Sequence, residues 1–202
     1  MAARALNARL AAAALVLGVV WGGDGPAGAA ETIAGPAIRA EDVIAAISDD
    51  LDGDGAADRA MLVEDVAAGE ATLLLFTGHP RDPGFTLALQ AVGLAWSGRM
   101  FGTIPWLEVT ARGSLRVHAE NASVGRNRWR QVHTIAWRGG SFVLAGYSWE
   151  SFDTLDPAAS MVCDLNLLTG RAILNGTTYE GAPRRVSPAR IAPNDLAPCP
   201  GG

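Results

Sequence analysis

The sequence predicts a mainly β protein: an antiparallel meander, folded as a sandwich or a partly closed barrel, with one short N-terminal helix. Three observations carry this. Alternation of apolar and polar residues at period two recurs along most of the chain beyond residue 60. Gly-rich turn signals separate the alternating runs, most plainly Gly139-Gly140. No second long helical pattern follows the first, as parallel βαβ units would require.

The 202 residues are enough for one domain with a sizeable core. Apolar residues make up 49% and charged residues 18%, which excludes a disordered or fibrous chain. The net charge is −5 with no basic block, so nucleic acid is not an expected partner. All 16 basic residues are Arg. Mechanisms that need a lysine nucleophile, a Schiff base or a P-loop lysine are therefore excluded.

Residues 1–29 read as a secretory signal peptide. Arg4 and Arg9 precede an apolar run from Leu10 to Val20, and Ala27-Gly28-Ala29 supplies small residues for cleavage. Eleven apolar residues are too few to cross ~30 Å of hydrocarbon at ~1.5 Å each, so the mature form carries no membrane span. The expected location is periplasmic or secreted. In such an oxidising compartment Cys163 and Cys199 are expected to pair, two free thiols being the alternative.

Residues 36–48 read as the short helix. Val43, Ile44, Ile47 and Leu51 share a helical face, and Glu41 and Asp42 suit the positive end of its dipole. Strand patterns follow at Met61 to Val66, Thr72 to Phe76, Phe85 to Leu89, and from Trp106 to Thr110. Leu115, Val117 and Ala119 alternate with Arg116 and His118. In the longest run, Trp129, His133, Ile135 and Trp137 share a face from which Arg130, Thr134 and Arg138 point away. Gly139-Gly140 turns this run into Ser141 to Tyr147. Thr169-Gly170 joins two further strands, Val162 to Leu168 and Arg171 to Asn175. A single β domain over 30–182 thus precedes a tail, 183–202, whose five prolines forbid regular structure.

The most specific chemical feature is the run 50–58. It places carboxylates of Asp50, Asp52, Asp54 and Asp58 at positions 1, 3, 5 and 9 of a loop. Gly55 stands at position 6, and the Ala56 carbonyl is the backbone ligand expected at position 7. Alternate oxygens converging on one hard cation, with Gly at the sharp turn, are the geometry of a calcium loop. Position 12 holds Met61, and a strand follows, so this is not an EF-hand. The expected cofactor is a structural Ca²⁺. The competing reading is a solvated acidic turn.

This loop resembles the DxDxDGxxD motif of FG-GAP and VCBS-type repeats. Further segments resemble those of small exported bacterial proteins of uncharacterised function that carry a single such loop. They are Gly98-Arg99-Met100-Phe101-Gly102, Trp129-Arg130 opening a hairpin, and Asp164-Leu165-Asn166-Leu167-Leu168-Thr169-Gly170. The resemblance runs from about residue 45 to 172 and implies a fold and an export route, but no activity. Many members of that family carry Cys-x-x-Cys before the Met-Phe turn. Leu94 and Ser97 stand there in this chain, so no redox or second-metal role attaches to the pair.

Two functional readings follow. One is an exported, calcium-stabilised, non-enzymatic β domain that binds a protein, a glycan or an envelope component. The alternative is a small periplasmic hydrolase using Glu150 with Asp153, or His118. Gly146-Tyr147-Ser148-Trp149-Glu150 departs from a nucleophile elbow at its last position. The five tryptophans Trp96, Trp106, Trp129, Trp137 and Trp149 are read as core or as a sugar-binding surface.

Overall fold

The computed structural model describes residues 38–200, so the proposed signal peptide lies outside the described residues. Eleven strands form two sheets, and within each sheet consecutive strands pair antiparallel. The first sheet holds β1 (Val43–Asp49), β2 (Asp58–Asp65), β3 (Glu70–His79) and β4 (Asp82–Trp96). The second runs without a crossover from β5 (Trp106–Val109), β6 (Leu115–Asn121), β7 (Asn127–Arg138) and β8 (Ser141–Asp153) to β9 (Met161–Asn166), β10 (Arg171–Leu174) and β11 (Thr177–Glu180). This is the expected meander, built as two open sheets.

The short N-terminal helix is not there. Within the segment read as helix, Ala40–Asp42 make a single 3₁₀ turn and Val43–Asp49 are strand β1. Asp49 lies opposite Asp58, so the acidic loop is the connection of a β1–β2 hairpin. That turn brings the preceding residues alongside β2, whose ladder satisfies their backbone groups. Three β-branched residues, Val43, Ile44 and Ile47, favour this outcome. A single short helix would have had little to set against it.

Alternation then explains the core. In β2, Asp58, Ala60, Leu62 and Glu64 point inward and the intervening residues are only partly buried. In β6 the inward residues are Leu115, Val117 and Ala119, with Arg116 exposed between them. Leu62, Leu73 and Leu75 of the first sheet join Leu115, Val117 and Ile135 of the second in one buried cluster. A second cluster covers the rest of the long sheet, and its other half comes from the tail. Val186, Leu196 and Cys199 pack there with Leu144, Tyr147 and Leu165.

The tail is ordered by polar ties as well as by packing. The Leu144 N–H donates to the Val186 carbonyl at 2.9 Å and the Arg184 N–H to Leu167 at 2.8 Å. Arg184 Nη1 and Nη2 donate to the carbonyls of Asn194 and Ala197 at 3.0 and 2.9 Å. Cys163 of β9 and Cys199 form the expected disulfide, 36 residues apart in sequence. As the prolines imply, the tail's only named element is a four-residue 3₁₀ turn, Pro193–Leu196.

Candidate functional site

The loop between β1 and β2 is built around Asp58, whose side chain sits at 0% exposure at the start of β2. Its Oδ2 accepts the N–H groups of Leu51 (2.8 Å) and Asp52 (3.2 Å), and its Oδ1 accepts that of Gly78 on β3 (2.9 Å). Asp50 accepts from Gly53 and Gly55 at 2.8 and 3.0 Å, Asp52 from Asp54 at 3.1 Å, and Asp54 from Ala56 at 2.7 Å. Each carboxylate thus fixes a stretch of loop backbone, as Asx turns do. Gly55, at the position read as the sharp turn, has φ +88°.

The structure brings three of the four carboxylates together. One oxygen each from Asp50, Asp52 and Asp58 lie within 4.8 Å of one another, while Asp54 stands outside this group. Among the described residues no Arg comes within ion-pair range of any of the four. Desolvation lifts the Asp52 carboxyl above its ordinary value, against the Asp54 N–H, and the charges of Asp58, Asp54 and Asp50 add to the rise. Three converging oxygen donors of like charge are placed to hold a metal ion, and the hardness of the donors selects a hard cation.

Of the residues of the alternative enzymatic reading, His118 and Glu150 border one open depression on the outer face of the long sheet, and Asp153 does not. Glu150 and Asp153 are three apart on β8, so alternation sends them to opposite faces. Asp153 accepts from Arg126 Nε at 2.6 Å, and the Leu155 N–H and then this Arg hold its carboxyl below the usual range. His118 lies on the outer face of the long sheet, 2.9 Å from Glu108 and stacked on Trp106 with ring centres 4.6 Å apart. Partial burial lowers its basicity, while Glu108 opposes the shift. Ser148 is two strands away from His118 with Val132 between them, and its hydroxyl donates to Asp164 at 2.8 Å. Strand spacing puts such a pair about 10 Å apart, beyond hydrogen-bond reach.

The tryptophans divide. Trp137 packs edge-on against Phe142 in the core, and Trp106 covers His118 outside. Trp96, Trp129 and Trp149 form a continuous row where the two sheets part. Trp96 meets Trp129 edge to face at 5.5 Å, and Trp129 lies nearly parallel to Trp149 at 5.3 Å. Sequence reasoning missed the polar residues beside this row, Glu70 and Arg128. Neither carries a local motif, and only the strand register places them there.

No family model, curated protein or solved structure matches the chain. No helix among the described residues is long and apolar enough to cross a membrane.

Proposed function

We propose that the chain is an exported β domain, stabilised by a bound Ca²⁺, that works by binding and not by catalysis. The observation that carries the reading is the convergence of Asp50, Asp52 and Asp58 at the head of the first hairpin. Oxygens bound to one Ca²⁺ at about 2.4 Å lie at most about 5 Å apart, so the three donors fit a single ion. Asp54 and the Ala56 carbonyl complete the expected ligand set. The ion would cancel the repulsion within the loop and tie the β1–β2 turn, and through Asp58 the neighbouring β3, into one unit.

The disulfide is in keeping with a periplasmic or secreted location, where such bonds persist. The binding reading is supported by the place of Asp153, paired with Arg126 and apart from the depression that His118 and Glu150 border. Its partner class is a protein, glycan or envelope component.

Thermal unfolding with Ca²⁺ and with chelator tests the metal. Saturating Ca²⁺ at a hundred times its Kd adds about 2.7 kcal/mol, several degrees in Tm for a domain of this size. Asp52→Ala, which leaves the buried Asp58 bonds in place, is expected to abolish the shift. A parent protein whose Tm ignores the chelator would leave only an acidic turn.

A further inference from the structure

The depression that His118 and Glu150 border measures about 730 Å³, room for a small molecule. A bulge shapes its floor, where Ala145 is the extra residue between the pairs Thr134–Gly146 and Ile135–Leu144. A Cβ on Gly146 would stand 3.3 Å from the Leu165 carbonyl oxygen and 3.6 Å from Thr134 Cβ. Any side chain there would crowd both neighbours and fill the floor that Gly leaves clear.

Charge is sorted along the strands that line it. Arg116, Thr134 and Gly146 lie opposite one another across β6, β7 and β8. To one side of this row stand Arg138, four residues along β7, and Arg112, in the turn before β6. To the other stand Asp164, opposite Ser148, and Glu150, about 7 and 13 Å further along the strands. Among the described residues Arg112 and Arg138 have no ion pair, although Arg138 spends one N–H on the Trp137 carbonyl. Arg116 has only Glu108, at 3.6 Å, which lies closer to His118, at 2.9 Å. By contrast Arg39, Arg99, Arg126, Arg130 and Arg171 each have a carboxylate partner. The aspartates of the β1–β2 loop are turned onto their own loop's N–H groups and pair with none of the three. A chain with 21 acidic residues against 16 arginines thus leaves the guanidiniums of one rim nearly unopposed.

Like charges at one rim repel, and an anion turns that repulsion into attraction. A carboxylate has two oxygens in one plane and is satisfied by a single guanidinium fork. A phosphate group spreads three acceptor oxygens in space and is shared by several. The hydroxyls of Ser114 and Thr134 stand at the same rim and donate to no acceptor among the described residues, so they add neutral donors. At the far end Asp164 and Glu150 repel a second anionic group. We propose that this depression binds a phosphate group, held by Arg112, Arg116 and Arg138, on a small ligand or headgroup whose other end is neutral or cationic. This rests on the binding reading above and names its ligand class.

The soluble probes are inorganic phosphate and O-phosphoethanolamine, titrated calorimetrically up to about 10 mM at constant ionic strength. The lipid probe is phosphatidylcholine vesicles with and without phosphatidic acid, read by co-sedimentation. Saturable binding is expected in at least one arm, and the arm that responds says whether the phosphate is free or on a lipid. Arg112→Gln with Arg138→Gln, both exposed, is expected to weaken it at least about tenfold. Arg81→Gln, an exposed and unpaired arginine outside the depression, is expected to change nothing. Circular dichroism shows that each variant is folded. Three results would overturn the proposal: saturation in no arm, equal affinity in the double variant, or an equal loss in Arg81→Gln. A calcium-dependent Tm alongside any of these leaves the metal reading standing. Release of inorganic phosphate from O-phosphoethanolamine would keep the site and overturn the non-catalytic reading instead.

Discussion

His133 lies on the inner face of β7, 4% exposed, with its ring centre 5.2 Å from that of Tyr147 and its Nε2 3.1 Å from the Gln131 amide nitrogen. Burial withholds the water that a charged imidazole needs and lowers its pKa to about 4. In the unfolded chain the same group titrates near 6.5, so between about pH 6.5 and pH 4 the unfolded state binds the extra proton. Stability is complete above this window and is expected to fall by about 3 kcal/mol as pH drops through it. Denaturant melts from pH 7.5 to 4.5 check this, because His133→Gln should flatten the slope there. At this scale the sequence was readable where a spacing rule exists. Aspartates at alternate positions pointed to a converging loop, and three of its four carboxylates meet there. It was silent on Glu70 and Arg128, exposed-looking charges whose setting depends on strands far away in sequence.

The elements show what hairpin chemistry can and cannot disclose. Gly139-Gly140, with φ +53° and +80°, makes the β7–β8 turn that the dipeptide promised. Asn175-Gly176, at φ +48° and +81°, makes an equally strong β10–β11 turn, and the strand after it, Thr177–Glu180, is exposed throughout and carries no apolar alternation to mark it in the sequence. The opposite error fell on Val43–Asp49, where apolar residues at 43, 44 and 47 suit a helix face and a strand alike, and the partner strand decided between them. Tight turns also differ in what they tolerate. Gly170, in the β9–β10 turn, has φ +79°, and a Cβ there would lie 2.3 Å from the Gly181 carbonyl oxygen. Gly102 has the same φ with nothing within 4 Å. Gly102→Ala is expected to cost about 1 kcal/mol, the price of the left-handed conformation, and Gly170→Ala about 3 kcal/mol or more because backbone must also move. Paired chemical denaturation of the two variants measures the difference.

For the whole molecule, the long sheet has one inner face and two coverings. The four-stranded sheet closes one part of it, and the tail closes the other through Val186, Leu196 and Cys199. Removing the cross-link by Cys163→Ala with Cys199→Ala is expected to cost about 2–4 kcal/mol. Hydrogen exchange should then show residues 184–199 opening first, while β2, β3, β6 and β7 keep their protection. Protection lost evenly across both sheets would show instead that the tail is part of a single cooperative core.

The strand order carries a consequence for how the chain comes together. Because every strand after the first of its sheet lies beside the one made just before it, a chain emerging from its N-terminal end can zip each pair as soon as the second member appears. No strand waits for a distant partner, and only short connections must be closed at each step. The exception is the final stretch, which turns back to meet Leu144 and Cys163 after all eleven strands are out. A nascent chain lacking those last residues would therefore hold a finished sheet with half of one face still greasy and open. That half-covered intermediate is the form of this molecule most exposed to aggregation and to chaperones.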